Sequence, residues 1–144
     1  MKAIVVEGYI DAMVIKVLFP DLSDSNINIR EGQGFSNVLA VSKSLIDYGC
    51  EVLAVLDTDT HRPGNDNREI VKRMQSTGLA GRPINILWMD PCLEKVLLSA
   101  NSKMNLRFEG KGGRFIQEIK KNRNRILELN EFKKIKSFIE EKQK

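Results

Sequence analysis

Apolar and polar positions alternate along this chain in two distinct rhythms. Ala3–Val6 is a β-branched run with no polar break, the pattern of a strand buried on both faces. Asp11–Phe19 follows, where Ala12, Ile15, Val17, Leu18 and Phe19 predict a mostly apolar helix that ends before Pro20. Ile27-Asn28-Ile29 alternates as a second strand does. Gly32 and Gly34 punctuate a loop, and Ser36 or Asn37 is suited to cap a helix carrying Val38, Val41, Leu45 and Ile46 near one face. Gly49 marks its end, and Glu51–Leu56 reads as a third strand. A polar loop with Pro63 and Gly64 spans Asp57–Asn67, then a short helix is expected over Arg68–Ser76. A fourth strand at Ile84–Trp88 and a helix at Cys92–Leu98, begun near Pro91, complete the series.

Strands alternating with helices predict an α/β fold: a mostly parallel four-stranded sheet with helices on both faces, Rossmann-like in style. The rhythm changes after Ser99. Residues 101–113 are polar with three glycines, and two basic amphipathic helices are expected at about 114–122 and 130–142. Phe115, Ile116, Ile119, Phe132, Ile135, Phe138 and Ile139 recur at helical spacing, so this tail should pack on the same core. The expected organisation is a catalytic core over residues 1–100 and a basic helical extension over 101–144, packed as one domain.

Charge sharpens the division. Residues 1–100 hold 10 Lys and Arg against 13 Asp and Glu, a net −3, whereas residues 101–144 hold 13 against 6, a net +7. A basic tail beside an acidic body suits a phosphate-binding surface next to a metal site, although a solvated lysine-rich helix has the same composition. No apolar run reaches the roughly 20 residues of a membrane span. Met1–Glu7 reads as a strand, since a secretory signal needs a longer apolar region. The two cysteines, Cys50 and Cys92, lack metal-site spacing, so a cytoplasmic compartment is expected.

The candidate chemistry lies at strand ends, where open parallel sheets bind their ligands. Glu7-Gly8 follows the first strand, Asp57-Thr58-Asp59 the third, and Asp90 and Glu94 the fourth. Any one of these acids has a plain alternative as a turn former or N-cap, and Asp11 as the cap of the first helix. An Asp-x-Asp directly after an apolar strand is harder to explain that way. Strand alternation sends both carboxylates to one face, and such close carboxylates repel unless a cation or proton intervenes. Hard divalent ions with oxygen ligands, Mg²⁺ above all, meet that need. Gly8 is expected to serve a sharp turn close to a ligand, or an ordinary tight turn. His61, the only histidine, sits in the loop beyond Asp59 and is either solvated or near the site; Asn65 and Asp66 read as turn formers.

V-V-E-G-Y-I-D-A at 5–12 and L-D-T-D-T at 56–60 resemble the Toprim domain of topoisomerases, bacterial primases, recombination-repair proteins, ribosomal-RNA maturation nucleases and OLD-family nucleases. The resemblance covers roughly residues 1–100 and implies a magnesium- or manganese-dependent nuclease of one or two ions. It assigns Glu7 and Asp57 to catalysis, and Glu7, Asp11, Asp57 and Asp59 to the metal. P-C-L-E-K-V-L-L at 91–98 is similar to a later OLD motif and adds Glu94 to the ligands; Lys111 in G-K-G-G-R matches that family's basic catalytic residue. OLD nucleases carry an ATPase ahead of this domain. No GxxxxGK[ST] occurs here, so an ATPase partner is expected as a separate chain, as in a two-component defence complex against phage.

The expected mechanism is phosphodiester hydrolysis in DNA or RNA, with DNA the first expectation. Two ions about 3.5–4 Å apart would stabilise the attacking and leaving oxygens, or one ion would act with Glu7 as general acid or base. Lys111 or Arg114 would neutralise charge on the phosphate, and Arg114, Lys120, Lys121, Arg123 and Arg125 would track the nucleic-acid backbone without reading sequence. Little aromatic interleaving accompanies these basic residues, so base stacking on single strands is not indicated from this surface. The competing functions are a non-catalytic subunit that binds metal and nucleic acid, and a primase-like nucleotidyl transferase.

Overall fold

The computed structural model describes residues 1–58, 78, 79, 81, 82 and 84–141. Asp59, His61, Asn65, Asp66 and the helix expected over Arg68–Ser76 lie outside the described residues. Those that remain form an α/β fold of Rossmann-like style. Four strands, β1 (Lys2–Val6), β2 (Ile27–Glu31), β3 (Glu51–Asp57) and β4 (Asn85–Met89), form one all-parallel sheet in the order β2-β1-β3-β4. The helices are α1 (Tyr9–Leu18), α2 (Phe35–Asp47), α3 (Leu93–Ala100), α4 (Gly113–Lys121), α5 (Arg123–Leu127) and α6 (Asn130–Glu140).

Period-two alternation divides the central strands between two cores. Ile4 and Val6 of β1 and Leu53 and Val55 of β3 face α1, α3 and the tail helices, while Val5, Val52, Ala54 and Leu56 face α2. Both faces are therefore covered, as the unbroken apolar runs require.

The tail is part of the first core: Phe115, Ile119, Ile126, Phe132, Ile135 and Phe138 are all buried there. Its last helix is tied to the first strand by Lys2, whose buried ammonium lies 5.3 Å from the Phe138 ring centroid. That ammonium donates to the Phe138 carbonyl at 2.6 Å and to the Glu141 carbonyl as well. A cation placed on the last carbonyls of α6 also meets the negative end of its dipole.

Several boundaries differ from the periodicity. α2 starts at Phe35 with Gly34 in the capping position, so neither Ser36 nor Asn37 caps it. α1 starts at Tyr9, two residues early, because the extended residue preceding it is Gly8 and Asp11 then falls in the first turn. The basic stretch holds a further helix, α5, because Asn122 interrupts the chain. Its buried side chain donates to the Glu118 carbonyl at 2.9 Å and accepts from Asn101 Nδ2 at 2.9 Å.

Candidate functional site: an acidic cleft at the switch point of the sheet

From β1 the chain crosses to β2 on one side, and β3 then pairs on the other side of β1. The loops leaving β1 and β3 therefore diverge, opening a crevice at the carboxyl ends of the two strands. Glu7 and Asp57 both sit on its rim. The Asp57 backbone N–H donates to Glu7 Oε2 at 2.7 Å, joining residues 50 positions apart in the sequence. The loop after β2 folds over the same end: Gly32 N–H donates to the Val6 carbonyl at 2.8 Å and Gly34 N–H to the Glu7 carbonyl at 3.2 Å. The lack of a Cβ at Gly32 also lets this loop lie against the first turn of α2, since a Cβ there would fall 2.7 Å from the Val38 nitrogen.

Asp57 lies on the same face of β3 as Leu53 and Val55 and so points toward α1 and α3. Its Oδ1 accepts the Leu93 N–H at 3.2 Å, at the first residue of α3. There the helix dipole favours a negative charge. Asp11 Oδ2 accepts the Gly8 N–H at 3.0 Å. Burial pushes the Asp11 carboxyl above its ordinary value of 3.8, and the hydrogen bonds from the Gly8 and Asp11 N–H groups offset this only in part. Gly8 itself is extended, with φ −152°, and a Cβ there would meet only Asp11 Oδ2 at 3.6 Å. The chain does bend at Glu7 and Gly8, but without a positive φ, so any β-capable residue fits the Gly8 backbone.

Asp11, Asp57 and Glu94 line one cleft of about 280 Å³. Cys92 lies among them, and Ile10, Leu97, Leu106, Phe108 and Phe115 form the apolar wall. Glu94 is exposed in the first turn of α3. Thr58 Oγ1 donates to Asp90 Oδ1 at 2.7 Å, so Asp90 steadies the segment that leaves β3. The three cleft carboxylates supply the oxygen donors that magnesium or manganese prefers. Among the described residues, however, no three His, Cys, Asp or Glu side chains converge closely enough to grip one ion. Of the other two expected ligands, Glu7 is not among the residues that line this cleft, and Asp59 lies outside the described residues.

The basic residues fall at different places. Lys111 is exposed in the turn between Phe108 and α4, and it is not among the residues that line the cleft. Arg114 is exposed in the first turn of α4, and Lys120 and Lys121 in its last. Arg125 is exposed on α5. Arg123 donates through Nε and Nη2 to the Leu18 carbonyl at 3.2 and 3.1 Å, closing the end of α1. Sequence reasoning did not find Cys92 or Phe108 at the site. The only signal for them was adjacency to Glu94 or to the glycine-rich turn.

The chain gives no significant match to any protein-family model, curated protein or solved structure. Among the described residues, no helix is long and apolar enough to cross a membrane.

Proposed function

We propose that this chain is a Toprim-type nuclease that hydrolyses phosphodiester bonds in DNA or RNA with magnesium or manganese. The observation that carries the reading is the 2.7 Å bond from the Asp57 N–H to Glu7 Oε2. It brings the two acids of the Glu-Gly and Asp-x-Asp motifs together at the switch point, where a doubly wound sheet takes its ligand. Asp57 and Asp11, with Glu94 at the rim and Asp59, are the residues to hold the metal. When bound, it would supply a Lewis acid for the phosphoryl oxygen and a lowered pKa for water. Glu7, oriented by the Asp57 N–H, is the candidate to hold or pass a proton at its carboxylate. The exposed Arg114, Lys120, Lys121 and Arg125 give the phosphate backbone a track, and a separate ATPase chain would be the partner.

A second reading has one observation in its favour. Glu7, Asp11 and Asp57 each already accept a main-chain N–H, which is what a non-catalytic subunit, using these acids only to hold its loops, would also need. Incubation with plasmid and with structured RNA in magnesium or manganese separates the two. Under the nuclease reading, cleavage stops in EDTA and falls about 100-fold or more in Glu7→Gln and Asp57→Asn. Binding without cleavage by the wild type, also with an ATPase partner present, would establish the subunit reading.

A further inference from the structure

We propose that the strand entering the acidic cleft is unpaired, and that Tyr9, backed by Phe108, is the platform on which one of its bases stacks. The inference rests on the nuclease reading above and names its substrate class. Tyr9 is the first residue of α1 and is 59% exposed. Its ring meets Phe108 edge-on, with centroids 6.3 Å apart and planes at 87°. Phe108 in turn leans on Phe115, 5.7 Å away at 64°, and Phe115 is buried in the core. A row of three rings thus runs from the core to the surface and holds the outermost one in place. Phe108 reaches its seat because Gly112, at φ +80°, has no Cβ; one would stand 2.4 Å from the Phe108 ring. Tyr48 is more exposed still, at 89%, but stands at the far end of α2 and, among the described residues, has no ring against it. Tyr9 is therefore the buttressed exposed tyrosine.

Its surroundings specify the occupant. On one side, Phe108 is part of the wall that also holds Asp11, Asp57 and Glu94. On the other, Tyr9 lines a second groove of about 350 Å³ whose cationic residues are Lys16 and Lys120, with Glu31 beside them. Acid, aromatic and base follow one another across a single surface. A duplex keeps its bases stacked inside and offers this surface only phosphates. An unpaired strand offers a base to the ring and a further phosphate to the lysines. The cleft itself is at or below the small end of ligand-pocket volumes, about 300–1,000 Å³. That is room for about one nucleotide.

Fluorescence anisotropy with labelled oligothymidine and with a duplex of equal length tests this, in calcium in place of magnesium, with the oligonucleotides verified intact. The single strand should bind more tightly than the duplex. Tyr9→Ala should weaken it about 5-fold or more, and Tyr9→Phe should restore most of the affinity. Lys120→Glu should weaken binding and flatten its salt dependence, which Tyr9→Ala should leave unchanged. Equal affinity for duplex and single strand, or wild-type binding by Tyr9→Ala, overturns the platform. Cleavage in magnesium is read in parallel. Wild-type cleavage with Tyr9-independent binding sinks the platform and spares the nuclease. Tyr9-dependent binding without cleavage does the reverse, and no binding of either oligonucleotide overturns the platform.

Discussion

Asp11 shows how one carboxylate can serve the fold and the candidate site in opposite directions. It accepts the Gly8 N–H at the start of α1, which stabilises the helix, yet burial raises its pKa above 3.8. Between 3.8 and that raised value the folded chain binds more protons at this site than the unfolded chain does. Its stability therefore falls as pH rises through the window and stays lower above it. Asp11→Asn keeps an acceptor for the Gly8 N–H and removes the charge. At pH 7 it should melt above the wild type, with the advantage vanishing as pH falls below 3.8. Thermal unfolding followed by circular dichroism across this range checks the sign, and an unchanged or lowered melting temperature at pH 7 would refute it. The same variant should lose protection by magnesium, the usual exchange of stability for a charged site. At this scale the acids were legible because Asp and Glu after apolar strands are few and conspicuous. Gly8 was not, since its extended backbone makes no demand that only glycine meets, and the helix begins one residue later.

Among the elements, the tail helices show where composition stops being informative. Their inward faces were legible from Phe115, Ile119, Phe132, Ile135 and Phe138, whose spacing follows the helical period. Their outward basic residues looked equivalent, because charge in a sequence does not say what a side chain will meet. Arg123 and Lys120 separate on this point. Arg123 spends two N–H groups on the Leu18 carbonyl, which no helical partner satisfies at the end of α1. Lys120 is exposed beside the groove that Tyr9 lines. Arg123→Met should cost about 1.5–3 kcal/mol of stability, the range for a hydrogen bond to a charged group. It should leave the salt dependence of nucleic-acid binding unchanged. Lys120→Gln should do the opposite, with little effect on stability and a slope of log affinity against log salt reduced by about 0.7–0.9. Urea denaturation and a salt titration of anisotropy give the two readouts, and an equal loss of slope in both variants would return Arg123 to the binding surface. Asn122 follows the same logic: nothing in the sequence marks it as a helix break, which arises from its pairing with Asn101 across 21 residues.

For the whole molecule, the sheet order and the placement of the tail together decide what can be separated from what. The parallel α/β core was legible because unbroken apolar strands alternate with amphipathic helices, a pattern with few topological solutions. Asp59 lies outside the described residues, so half of the Asp-x-Asp motif has sequence support alone. The tail reads as an extension in charge, but in the structure it is a wall. Phe108 and Phe115 close the cleft that Asp11 and Asp57 open, and the tail's apolar side chains cover Ile4, Val6, Leu53 and Val55. Burying Phe115, Ile119, Ile126, Phe132, Ile135 and Phe138 contributes on the order of 1.5–3 kcal/mol apiece before chain entropy is subtracted. That gross gain rivals the roughly 5–15 kcal/mol by which a whole domain is stable. Cutting the chain after residue 100 removes that gain, exposes the sheet face beneath, and releases Lys2 from its two carbonyls. Residues 1–100 alone should therefore lack a cooperative melting transition and bind a hydrophobic dye, although they hold every acid of the candidate site. A cooperative transition in that fragment, with dispersed amide signals in its NMR spectrum, would mean that the first core closes without the tail and that the cleft's aromatic wall is an addition to a finished domain.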